Sequence, residues 1–170
     1  MSIADLEQVS RDLLEGMIVD FAKNWLAHDG LWFQEVERRF GLQAAMELDA
    51  RAWDAFTRIE AKRIMVRHGI GENGGLEALK EALGFRLYAI LNEQTITEET
   101  EHSFVFKMVD CRVQSARERK GMQLFPCKSV GVVEYSGFAS TIDPRIRTEC
   151  IACPPDCTVR DFYCGWRFSL

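Results

Sequence analysis

The chain has no apolar run approaching the ~20 residues that a membrane-spanning helix needs. Its opening stretch, MSIADLEQVSRDLLEG, is acidic and lacks the basic-then-apolar order of a signal peptide. No Gly-rich segment follows a predicted strand, and Gly71-Glu72-Asn73-Gly74-Gly75 carries no Gly-Lys-Ser/Thr, which excludes a P-loop and a dinucleotide-binding fingerprint. No serine triad can be assembled. There is no dense basic face either: the one cluster, Arg117-Glu118-Arg119-Lys120, is interrupted by an acid, so nucleic acid is not an expected partner. These absences predict a soluble cytoplasmic protein that binds neither nucleic acid nor membrane. Cysteine is missing from the first 110 residues, yet six follow: Cys111, Cys127, Cys150, Cys153, Cys157 and Cys164. In a reducing compartment such grouping points to metal or thiol chemistry rather than to structural disulfides.

A length of 170 residues fits one domain, residues 1–170, with ordinary apolar and charged fractions. Charge is uneven. Residues 1–100 carry a net −7 and residues 101–170 a net +2, so the cysteine-bearing part is the less acidic one.

Residues 1–95 read as mainly helical. Leu6, Val9, Leu13, Met17, Phe21 and Trp25 recur at helical spacing over 3–27, and His28-Asp29-Gly30 reads as a stop. A second helix is expected from Leu31, bent or broken at Gly41 and resuming to His68-Gly69. A further helix is expected over Leu76–Leu91. Residues 100–170 read as strand, helix, strand, strand. Phe104–Val113 is apolar on both faces at its start and is expected to be a central strand. Phe125-Pro126-Cys127 reads as a helix entry with Pro126 at the first helical position. The last stretch, Ile146–Phe168, reads as a hairpin in which Phe162, Cys164, Trp166 and Phe168 share a face and Cys150 lies opposite Cys164. The expected fold is α+β: an N-terminal helical layer packed on a small C-terminal antiparallel sheet, with one intervening helix.

Three chemistries follow from the thiols. Cys150-x2-Cys153-x3-Cys157-x6-Cys164 could supply zinc or an iron–sulfur cluster with four thiolates, although in an extended strand Cys150 and Cys153 face opposite ways. Cys127, in the first turn of a helix, would have its thiolate favoured by the unpaired N–H groups there, which suits a nucleophile. A base could come from His28, beside Asp29, although His-Asp-Gly also serves simply to end a helix. Cys150 and Cys164 could form a redox pair. His68 reads as a helix stop, while His102 and Glu149 read as solvent-facing strand-flank positions.

WLAHDGLWF, FGLQAA, FPCK and CIACPPD followed by YCGWRF together resemble a family of cytosolic proteins from anaerobic bacteria and archaea. More distantly, residues 103–170 are similar to the L-2-amino-thiazoline-4-carboxylic acid hydrolase-like family and the four-vinyl-reductase small-ligand domain. Glu149-Cys150 and Asp161–Phe168 would match their closing strands, and Cys127 their helix cysteine. The resemblance implies a small-ligand or metal-binding α+β domain, or a hydrolase acting on a cyclic C–N or C–S substrate. Cys153, Cys157 and the paired prolines replace the Gly-Asp turn of those families, which shifts the expectation toward metal. The reading is therefore a pocket between sheet and helices lined by Cys111, Cys127 and Trp166, with Cys150 and Cys164 alongside. It would hold a small-molecule ligand or metal, and a homo-oligomer is compatible with it.

Overall fold

The computed structural model describes residues 3–156 and 161–170. After a short 3-10 turn at Ile3–Gln8, four helices follow: α1 (Arg11–Phe40), α2 (Leu42–His68), α3 (Gly75–Leu83) and α4 (Leu87–Leu91). Strands β1 (Glu93–Thr97) and β2 (Ser103–Asp110) come next, then helices α5 (Arg112–Arg119) and α6 (Lys128–Ile142), then strands β3 (Arg147–Ala152) and β4 (Cys164–Ser169). The strands form one antiparallel sheet in the order β1-β2-β4-β3. The class is α+β, as the pattern indicated, with two helices rather than one between β2 and β3. No helix among the described residues is long and apolar enough to cross a membrane.

Several boundaries fall where local chemistry puts them. The Ser10 side chain accepts the Leu13 N–H at 3.3 Å and caps α1. Gly41, at φ 87°, separates α1 from α2 while its N–H still reaches the Glu37 carbonyl. Gly69 takes the left-handed position that closes α2, its N–H bonding the Met65 carbonyl.

Other boundaries differ from the sequence expectation. His28-Asp29-Gly30 does not stop a helix, because α1 runs straight through it. A mid-helix glycine costs only about 1 kcal/mol relative to alanine. Trp25 before the glycine and Phe33 after it both pack on the same aromatic cluster, so tertiary contact carries the helix across. The helix expected over Leu76–Leu91 is divided at Gly84-Phe85-Arg86, where Arg86 adopts extended backbone and turns its side chain inward. Cys111 is not in the central strand, which ends at Asp110; Arg112 instead starts α5, its N–H capped by Asn92 Oδ1 at 2.9 Å. The basic cluster at Arg117–Lys120 lies at the end of α5. Strand β1 went unread because EQTIT is a polar edge.

In the closing hairpin Cys150 pairs with Trp166, not with Cys164, because the strands run in one register from Arg147–Ser169 to Cys150–Trp166, two residues from the expected one; a bulge beyond Cys150 then brings Ala152 to Gly165. The inward face of β4 carries Cys164, Trp166 and Phe168, and that of β2 carries Phe104, Phe106 and Met108. Helix α6 packs on this face and on α2. Two glycines permit the approach: a Cβ at Gly131 would come within 2.7 Å of Trp166 Cζ2, and one at Gly137 within 2.7 Å of Thr57 Cγ2. Thr57 Oγ1 donates to the Glu134 carbonyl at 2.9 Å across the same seam.

Gly137→Val is therefore expected to lower stability by about 1–3 kcal/mol through overpacking. Gly16→Ala, on the exposed side of α1 with nothing within 4 Å of its Cβ position, is expected to raise it by about 0.5–1 kcal/mol. Urea midpoints of the two variants moving in the same direction would contradict this account of the seam.

Candidate functional site

A cavity of about 540 Å³ lies where α1, α2, α5 and α6 meet the inward face of the sheet. That volume is within the ~300–1,000 Å³ typical of small-molecule sites. Its lining is chemically divided: thiols come from the loops and β4, carboxylates from the helices, and aromatic rings lie between.

The thiol wall is built around Gln114. This fully buried side chain accepts the Phe125 N–H and donates to the Phe125 carbonyl, both at 2.8 Å, which fixes the loop leading into α6. The same Nε2 reaches Cys127 Sγ at 3.4 Å. Cys127 is the N-cap of α6, one position before the first turn in which it was expected. Its sulfur lies 3.5 Å from that of Cys153, which is buried. The contact with Cys153 and the hydrogen bond donated by the Gln114 amide together hold Cys127 below the ordinary thiol value against the opposing effect of burial. Cys153, in contact with its neighbours Cys127 and Cys164, is pushed up in consequence. Burial likewise raises Cys111, to about 12. Cys127 is thus the thiol disposed to ionise, while Cys111 and Cys153 are held protonated.

The opposite wall carries Asp29 from α1, Asp49 from α2 and Glu134 from α6. Glu134 is buried and answered by Arg86, whose guanidinium nitrogen lies 2.6 Å away. Asp49 is raised to about 7, chiefly by burial and then by the charges of Asp29 and Glu134, while a hydrogen bond from the Trp53 indole pulls the other way. Asp29 is raised by burial and partly relieved by His28. Trp53 stacks on Tyr88 at 5.9 Å, and Tyr135 on Trp166 at 4.7 Å. The indole N–H of Trp166, a residue only 1 % exposed, has no hydrogen-bond partner among the described residues.

Of the residues named from the sequence, Cys111, Cys127, Cys153, Cys164 and Trp166 line this cavity. Cys150 is half-buried against the core and does not reach the lining. Cys157 lies outside the described residues. His28 is exposed and does not line the cavity, whereas its neighbour Asp29 does. A metal would draw on Cys127, Cys153 and Cys164. Among the described residues, however, no group of three or more His, Cys, Asp or Glu side chains is arranged to hold an ion. Gln114, Asp49 and Glu134 were missed. Glu134 did leave a signal, as an acid on the face that Val130 and Phe138 mark as buried. Asp49 left a weaker one, standing four residues before Trp53 on a helix.

Asp49 sets a pH dependence. Its value in the fold lies above the ordinary 3.8, so the folded chain holds the proton more tightly than the unfolded chain. The associated stability is complete below 3.8 and lost as pH rises through about 7. Asp49→Asn should remove that loss, so the variant gains on the parent between about pH 4 and about pH 7. Asp143, held down at about 2 by Arg145, acts with the opposite sign and only in acid, so it leaves this window untouched. Parallel stability profiles for parent and variant over that range would rule out Asp49 as the source.

No curated protein and no solved structure matches the chain. A family model described as "Family of unknown function (DUF6125)" matches residues 7–170, nearly the full length. The chain, with its divided cavity between helices and sheet, belongs to that family.

Proposed function

We propose that this chain is a small-ligand-binding domain of the cytoplasm, whose ligand lies in the cavity against the Cys127 thiolate. The observation that carries the reading is the position of Cys127 Sγ. It sits on the wall of a 540 Å³ cavity, at the head of a 15-residue helix, with the Gln114 amide 3.4 Å away and Cys153 Sγ at 3.5 Å. A thiol placed only for packing has no use for two neighbours that favour its ionised form. Zinc or an iron–sulfur cluster would draw on the same sulfurs and belongs to the same reading as the bound species. A reducing cytoplasm would keep those sulfurs available.

A second reading is favoured by the presence in one cavity of this thiol and of Asp49, which burial raises to about 7. In a cysteine-dependent hydrolase the Cys127 sulfur would attack the electrophilic carbon of a cyclic C–N or C–S substrate. The ring nitrogen or sulfur would leave with a proton from the acid, and water would then release the acyl group from the thioester. Asp49 suits the proton transfers better than His28 does, since it lines the cavity.

Two measurements on anaerobically purified protein test the proposal. Iodoacetamide should label Cys127 at least about tenfold faster than Cys111 near neutral pH, because the thiolate is the reactive form. Native mass spectrometry should find a mass above that of the chain, with metal analysis and visible absorbance separating zinc, an iron–sulfur cluster and an organic ligand. Gly30→Phe fills space on the lining, where a Cβ meets nothing within 4 Å, and should remove the surplus. Cys127→Ser should keep an organic ligand while abolishing any turnover of it. Equal labelling of both thiols, with no surplus mass, would end the proposal.

A further inference from the structure

The two walls of the cavity are unequal in charge. On the thiol side the one group disposed to ionise, Cys127, becomes negative. On the helical side Glu134 is matched by Arg86 at 2.6 Å, but Asp29 and Asp49 have no Lys or Arg within ion-pair distance among the described residues. They repel each other. Four basic residues also line the cavity, Lys23, Arg112, Arg117 and Lys120, and none forms an ion pair with either carboxylate. Lys23, Arg112 and Lys120 are exposed, and Arg117 is occupied by the Gln123 carbonyl at 2.8 Å and Glu37 at 4.0 Å. Two unanswered carboxylates beside aromatic faces form an environment that lowers the energy of a cation and raises that of an anion.

A second, independent feature also calls for a ligand. The Trp166 indole N–H is buried and unpartnered. Trp166 is itself a lining residue, as is Gly131, on which its ring lies. A buried donor without a partner costs about 1–3 kcal/mol, a cost relieved by any occupant that brings an acceptor.

We infer that the cavity takes a small organic cation, with its amine or ammonium group between Asp29 and Asp49 and its apolar body along the Trp53–Tyr88 and Tyr135–Trp166 ring pairs. A hydrogen-bond acceptor on the ligand meets the Trp166 N–H. The inference rests on the small-ligand reading above and names the class of that ligand.

Calorimetric titration of the full chain with three probes of equal shape tests it: tryptamine (cationic), tryptophol (neutral) and indole-3-acetate (anionic). Tryptamine should bind at least about tenfold more tightly than tryptophol, the size expected of one desolvated charge–aromatic or charge–carboxylate contact, and indole-3-acetate most weakly. Asp49→Asn should bring tryptamine to the level of tryptophol and leave tryptophol unchanged. Asp29→Asn serves the same purpose should the first variant fold poorly, and Glu47→Gln, exposed on α2 and off the lining, is the control. Equal binding of the cation and the neutral probe, tightest binding of the anion, or no binding of tryptamine up to millimolar concentration would each overturn the inference. The first two outcomes leave the small-ligand reading standing. A metal found as the sole bound species in the mass measurement overturns this inference too, while the reading above, which includes zinc or an iron–sulfur cluster as the bound species, stands.

Discussion

The guanidinium of Arg86 is the interaction that the helical layer is built around. Only 2 % exposed, it sits between Glu60 of α2 at 2.9 Å and Glu134 of α6 at 2.6 Å. The rings of Trp53, Tyr88, Tyr135 and Phe138 surround it at 4.8–5.9 Å. Removing a cation from water costs several kcal/mol, and two carboxylates with four aromatic faces offset that cost only while all are in place. The backbone accommodates the arrangement. Where apolar periodicity would run one helix from Leu76 to Leu91, the chain opens at Gly84-Phe85-Arg86 so that this side chain can turn inward. Three elements distant in sequence are thereby fixed relative to one another.

The cavity follows from that fixture. Glu134 is both a partner of Arg86 and part of the lining, so one acid of the helical wall is held in position and neutralised by an ion pair from behind. The seam between α2 and α6, closed by Gly137 and by the hydrogen bond from Thr57, sets how near Asp49 and Glu134 can come. On the other side, Gly131 lets the Trp166 ring lie directly on α6, which brings β4 and its Cys164 to the start of the helix where Cys127 sits. Position on this site is thus decided by small residues and one buried charge, more than by the groups whose chemistry is of interest.

That division explains what could be read from the chain beforehand. Local signals sufficed for the α+β order, for the ends of α2 at Gly41 and Gly69, and for the shared inward face of Cys164, Trp166 and Phe168. They failed where a distant partner overrode them. His28-Asp29-Gly30 has every feature of a helix stop, yet Trp25 and Phe33 pack on one cluster and draw α1 through it. The opposition of Cys150 and Cys164 was counted from an assumed turn centre at Cys157, and the observed register, two residues away on the closing strand, gives Cys150 to Trp166 instead. The thiols could be named because cysteine is conspicuous. The carboxylates could not be grouped, since Asp29, Asp49 and Glu134 come from three helices and meet only once those helices are packed.

A domain selected for stability alone would not keep this space. Interiors pack at crystal-like density, and voids are expensive to maintain. Here the void is bounded by groups that are also costly to bury dry: two carboxylates short of a counter-charge, an indole N–H without an acceptor, and a thiol disposed to ionise. Apolar side chains at Asp29 and Asp49 would relieve the first of these penalties and fill part of the volume. The chain instead braces the cavity from behind with a buried ion pair and from beside with Gln114, so that these groups cannot collapse onto one another. Their unmet hydrogen bonds and charges would then be available to an occupant of the kind proposed, and the free energy withheld from folding would be returned on its binding.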